Sequence, residues 1–131
     1  MAKRGVDLDG CLAEQNWKDY HSDYDPTKIG EPIPLMAERV RYWLSIGDEV
    51  DIFTARMNPT DEFKDSVPAF TEAFTIWSMK HFGIVLKLTC TKDSHWAEIY
   101  DDKAVRVIKN TGMISDGTDV DRFFQPQAIG L

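Results

Sequence analysis

Short apolar runs alternate along this chain with two stretches at helical spacing, and that alternation admits few folds. "KRGVDLDG" (3–10), "EVDIFTAR" (49–56) and "IVLKLTCTKD" (84–93) read as strands, "WAEIYDDKAV" (96–105) contains a fourth, and Val105, Val107 and Ile108 make a short fifth. After the first strand, Pro34 suits the first turn of a helix running to about Ile46. Met36, Val40, Trp43 and Leu44 share one face of it, and Gly47 is its C-cap. After the second strand, residues from about Pro68 to Phe82 carry Phe70, Phe74, Trp77 and Met79 on a second amphipathic helix ended by Gly83. Strands alternating with helices predict an α/β fold, a doubly wound and mainly parallel sheet in a three-layer sandwich. Polar residues with Asp, Tyr, Pro and Gly dominate the stretch from Cys11 to Pro34, so about 11–33 reads as a flap-like excursion. With 131 residues, the chain suffices for one domain, 1–131, around a single core.

Ligands of such sheets bind beyond the carboxyl ends of the strands. Here the first strand ends in Asp7 and Asp9, the second in Thr54 and Arg56, the third in Thr91 and Lys92, and the fourth in Asp101 and Asp102. All of these clusters fall on one edge. Asp7 and Asp9 pose the sharpest problem, because Asp is disfavoured in strands and costly to bury unpaired. At i and i+2 of a strand the two carboxylates stand on the same face, side by side. A bound cation makes such a pair tolerable.

The formal net charge of -7 and pI near 4.8 leave no basic field for duplex nucleic acid or an anionic membrane surface. No apolar stretch approaches the ~20 residues of a membrane span, and none follows the basic "MAKRG" start as a signal peptide requires. Cys11 and Cys90 make neither a disulfide framework nor a zinc site, and read as small buried thiols of a reducing, cytoplasmic setting. His21, His81 and His95 have no metal-binding spacing and read as surface or helix-end residues. Trp43 and Trp77 belong to the core, whereas Trp17 either lines the entrance to a site or packs the excursion down. "DGTDVD" (116–121) is a turn, its acidic spacing being wrong for a calcium loop.

"DLDGCL", "FTAR", a lysine near the third strand end and "YDDKAV", in that order over residues 6 to 103, resemble the four motifs of the haloacid dehalogenase superfamily of phosphotransferases, in its small capless form. The resemblance implies a Mg²⁺-dependent phosphomonoester hydrolase. A phosphomonoester carries about two negative charges near neutral pH, which shield it from a carboxylate nucleophile unless a dication lies between them. Mg²⁺ suits such an oxygen-only site. By the same resemblance Asp7 attacks phosphorus and forms an aspartyl-phosphate. Asp9 protonates the leaving oxygen, activates the water of the second step, and offers its main-chain carbonyl to the metal. Asp101 and Asp102 complete a metal set of Asp7, Asp9, Asp101 and Asp102, one directly and the other through water or by holding the lysine. Gly10 turns the chain away so that the phosphate approaches the backbone. Thr54 binds a phosphate oxygen, with Ala55 and Arg56 beside it; Arg56 alternatively is a surface ion-pair residue. Lys92 is expected to neutralise the transferring group, with Lys87 and Lys103 as alternatives.

No insertion here is large enough for a separate cap domain. Capless relatives act on large substrates or borrow a neighbouring subunit as lid, so a homo-oligomer is one expectation. The substrate implied is a nucleotide or other small phosphate ester. A single-stranded nucleic-acid end is the alternative, which the acidic charge disfavours. Two other classes stand beside the enzyme: a receiver-like signalling module, and a catalytically idle phosphate-binding protein. A receiver needs a phosphoacceptor at a central strand end, and Asp51 lies inside its strand.

Overall fold

The computed structural model describes residues 1–15, 17–18, 23–58 and 65–115. Chain order is β1 (Lys3–Asp7), α1 (Pro34–Ser45), β2 (Glu49–Phe53), α2 (Ser66–Phe82), β3 (Lys87–Thr89) and β4 (Glu98–Tyr100), with a 3-10 turn at Ala55–Met57. The strands form one four-stranded sheet in the order β3-β2-β1-β4, every pair parallel. The expected α/β class and parallel sheet are therefore present. Among the described residues, no helix is long and apolar enough to cross a membrane.

Strand register explains where the core lies. Val6 pairs with Ile52 and Arg4 with Val50, so Val6, Val50 and Ile52 share a face by the period-two rule. These three join Met36, Ala37, Val40 and Trp43 of α1 and Phe70, Phe74 and Trp77 of α2 in a single buried cluster. Both helices thus cover the same face of the sheet. Proline opens α1, whose C-cap is Ile46, while Gly83 ends α2 in the left-handed region at φ 76°. Met79 departs from the expected helix face and is half exposed. It lies two residues past Trp77, about 200° around the helix, while Phe70, Phe74 and Trp77 keep the three-to-four spacing.

The opposite face has a different cover. Gly5 and Asp51 pair across β1 and β2 on that side, and the indole of Trp96, from the β3–β4 connection, lies over Gly5. A Cβ at Gly5 would stand 2.6 Å from that ring. Trp96 also meets Phe53 edge-on at 5.3 Å between centroids, and its Nε1 donates to the buried Asp51 carboxylate at 3.0 Å. Lys3 completes this anchor by donating to Asp93 at 2.8 Å. Among the described residues no helix packs on this face, so the third layer of the expected sandwich is not seen there. The expected fifth strand is also absent from the sheet. Val107 makes only an isolated antiparallel bridge to Ile114, and Val105, Val107 and Ile108 are exposed.

Tight bonds close the base of the excursion. Gly10 N–H donates to the Ala13 carbonyl at 2.8 Å, Ile33 N–H to Leu12 at 2.8 Å, and Glu14 N–H to Glu31 at 2.9 Å. Leu12 and Ala13 are fully buried, so the excursion leaves and re-enters through the core. His21 and "DGTDVD" lie outside the described residues.

Candidate active site

Parallel strands bring all four carboxyl ends to one edge, and a cavity of about 620 Å³ opens there. Asp7 from β1, Phe53 and Thr54 from β2, Cys90 after β3, and Asp101 and Asp102 after β4 line it, together with Asp9, Ala55, Arg56 and Lys103. Gln15, Trp17 and Lys18 from the excursion, with Asn58, form the rest of its wall. Of the residues singled out from sequence, Asp7, Asp9, Thr54, Ala55, Arg56, Asp101 and Asp102 therefore converge.

Asp7, Asp101 and Asp102 each bring a carboxylate oxygen to within 4.8 Å of the others'. Among the described residues no basic side chain forms an ion pair with any of the three. Burial, then the hydrogen bond to Asp102 and the charges of Asp101, Asp102 and Asp9, push the Asp7 carboxyl up to about 8. Such a set of hard oxygen donors fits a small dication, which would replace the shared proton. Gly10 makes room for it. At φ 83° this residue sits where side chains are strained, and a Cβ on it would lie 2.8 Å from Asp102 Oδ2. Gly10 was expected to turn the chain sharply away so that a phosphate approaches the backbone; the left-handed turn is present, and the Asp102 carboxylate lies beside it.

Asp9 takes a different partner from the one its spacing implied. β1 ends at Asp7, and Leu8 begins a turn whose carbonyl accepts from Leu12 and Ala13 N–H at 2.9 and 2.8 Å. The Asp9 carboxylate lies outside the acidic trio and meets Arg56. Nε donates to Oδ2 and Nη2 to Oδ1, both at 2.8 Å. Burial raises the Asp9 carboxyl above its ordinary value, and the hydrogen bonds and charge of Arg56 pull it back. Arg56 is only 2 % exposed, so the surface reading of this residue is overturned. Its Nη1 also donates to the Lys28 carbonyl at 2.9 Å, so three of the five guanidinium N–H groups are engaged within the chain.

Thr54 is buried and starts the 3-10 turn, its hydroxyl oxygen accepting from Arg56 N–H at 3.2 Å. That leaves its O–H proton to give to an anion in the cavity. Lys92 does not line the cavity. Thr89 Oγ1 accepts from Thr91 N–H at 3.0 Å, a local turn that follows β3 at once. Lys92 then lines a second depression with Lys87, Thr89, Thr91, Asp93 and His95. Among the described residues, the basic ones lining the candidate site besides Arg56 are Lys103 and Lys18.

The thiols also differ from expectation. Cys90 is exposed and Cys11 half-buried. Burial and the acidic trio push the Cys11 thiol up to about 12. Trp17 does both things considered for it, lining the cavity and packing on Arg56 at 4.6 Å. Gln15, Lys18, Asn58 and Cys90 were not singled out from sequence. They sit in loops without a motif, and only the third strand's early end pointed to Cys90.

Comparison with protein-family models, with curated proteins and with solved structures finds no match to this chain.

Proposed function

We propose that this protein is a Mg²⁺-dependent phosphomonoester hydrolase of the haloacid dehalogenase type, acting through an aspartyl-phosphate. The observation that carries the reading is the convergence at one sheet edge of the unpaired Asp7, Asp101 and Asp102 with Asp9 and Thr54. Asp7, Asp101 and Asp102 would hold the metal. When bound, Mg²⁺ neutralises phosphate oxygens and removes their repulsion of a carboxylate nucleophile. Asp7 adds an oxygen to phosphorus as the bond to the leaving oxygen breaks, and Asp9 supplies that oxygen's proton. Thr54 donates its hydroxyl hydrogen to a phosphate oxygen, and Lys103 lies closest in sequence to the acidic pair to add positive charge.

A cavity of about 620 Å³ falls within the range of small-molecule sites. Its size, with Gln15, Trp17, Lys18 and Asn58 in the lining beside the acidic residues, supports a nucleotide or similar small ester. Against a receiver, Asp51 is buried under Trp96 and Lys3 and does not line the cavity. The reading carries with it the superfamily's three-layer, doubly wound sandwich, which the parallel order β3-β2-β1-β4 supports. Two free thiols agree with a reducing, cytoplasmic setting.

The test is hydrolysis of para-nitrophenyl phosphate, nucleoside monophosphates, sugar phosphates and a 3′-phosphorylated oligonucleotide, with Mg²⁺ and with chelator. Turnover that requires Mg²⁺ is expected. A folded protein that turns over none of them with Mg²⁺, or works equally in chelator, contradicts the proposal.

A further inference from the structure

We infer that Arg56 is a positioning residue, which fixes the plane of the Asp9 carboxyl for proton transfer at the leaving-group oxygen and is itself gripped by the excursion. The inference rests on the phosphomonoesterase reading above. A carboxyl group turns broadly about its last side-chain torsion, so an unrestrained Asp9 would present its oxygens in many directions. Two parallel N–H···O bonds from one planar guanidinium remove that freedom. Each carboxyl oxygen keeps a second lone-pair site, where the travelling proton sits.

The guanidinium is held as firmly as it holds. Its Nη1 donates to the Lys28 carbonyl at 2.9 Å. Its central carbon lies 4.6 Å from the Trp17 ring, 5.0 Å from Tyr24 and 4.9 Å from Phe70. Trp17, Tyr24 and Lys28 come from the excursion and Phe70 from α2, so two parts of the fold hold the arginine that sets one torsion of Asp9. Arginine suits this place because its flat face stacks on rings while its edge makes the fork, and lysine offers neither.

The chemistry makes the role selective. In the first step the Asp7–phosphorus bond forms, the bond to the leaving oxygen breaks, and the Asp9 proton passes to that oxygen. In the second, water gives its proton to Asp9 and its oxygen attacks phosphorus, expelling Asp7. A nitrophenolate departs without the proton, whereas an alkoxide needs it. Misaligning Asp9 therefore slows transfer from alkyl esters and spares aryl esters.

The experiment compares kcat/KM, which reports the first transfer, for para-nitrophenyl phosphate and glycerol phosphate in wild type and Arg56→Lys, all with Mg²⁺. A loss on the order of 10²-fold is expected for the alkyl ester, against about threefold or less for the aryl ester. Equal losses on both esters, or no loss on the alkyl one, overturn the inference. Should Arg56→Lys prove unfolded by circular dichroism, Tyr24→Leu carries the same comparison, because it removes one ring from the grip. It is expected to give a smaller loss confined to the alkyl ester, and an equal loss on both esters again overturns the inference. Wild-type protein inactive on both esters strikes the phosphomonoesterase reading itself, and is separable from either result.

Discussion

Two residues apart at the end of β1, Asp7 and Asp9 solve the same electrostatic problem in opposite ways. Asp9 receives its counter-charge from the chain, a buried arginine that grips both oxygens. Asp7 receives none. It faces Asp101 and Asp102, and in the absence of a cation the cost appears as a carboxyl pushed up to about 8. A chain able to bury an arginine beside one carboxylate leaves three others a few ångströms away without a basic partner among the described residues. The difference separates a carboxylate the chain neutralises itself from the trio proposed here to hold a cation, and each side can be perturbed without the other.

The largest effect belongs to the uncompensated side. Asp7→Asn keeps the shape and removes the proposed nucleophile, and turnover of any phosphomonoester is expected to fall by about 10³-fold or more, read in steady-state assays. On the compensated side, Arg56→Ala leaves the Asp9 carboxylate buried without its partner. Urea denaturation should show a loss of roughly 3–5 kcal/mol, a large share of a typical domain's stability. A loss below about 1 kcal/mol would place the pair among weak surface ion pairs and break the comparison.

The sign of the pH dependence follows from Asp7. Its carboxyl has an ordinary value of 3.8 and is raised to about 8 in the fold, so between those values the folded chain binds a proton that the unfolded chain has lost. This group's contribution to stability is complete below the lower value and is lost as pH rises through the upper one. Metal-free protein should melt at progressively lower temperature as pH rises from about 4 to 8. Under the proposal Mg²⁺ binds the ionised form, so its stabilising effect should grow over the same window. It should reach about 2.7 kcal/mol at a hundredfold excess over Kd. Scanning calorimetry with Mg²⁺ and with chelator at several pH values checks both halves.

Smaller effects sharpen the boundary of the site. Gly10→Ala presses on Asp102 and strains the backbone, and a 10–100-fold loss of Mg²⁺ affinity is expected by calorimetric titration. Lys92→Ala should change turnover by less than about twofold, because Lys92 lines a different depression, while Lys103→Ala should cost about tenfold. The reverse order would return the phosphate-binding role to Lys92.

What the sequence disclosed and what it hid have different physical ranges. Periodicity located both helices, and polar clusters at strand ends located the edge where the cavity opens, because these patterns are local. The assumption that β1 runs on to Asp9 was also local, and it failed where Leu8 turns. Nothing near Asp9 in sequence announces a partner 47 residues away, so the Arg56 fork needed three-dimensional contact to appear. Lys92 lies apart from the cavity for a smaller reason, since a threonine turn follows β3 at once and the lysine lines a second depression. Gly5 was the one overlooked signal. A glycine inside a strand marks a close approach, and here the approach is Trp96.

The most direct test of the central claim is acid-quenched peptide mapping of protein mixed with a phosphomonoester and Mg²⁺. Phosphate found on Asp7, and missing from a chelator-treated control, is the predicted result. Phosphate on a different residue, or on Asp7 equally without the metal, would contradict the account.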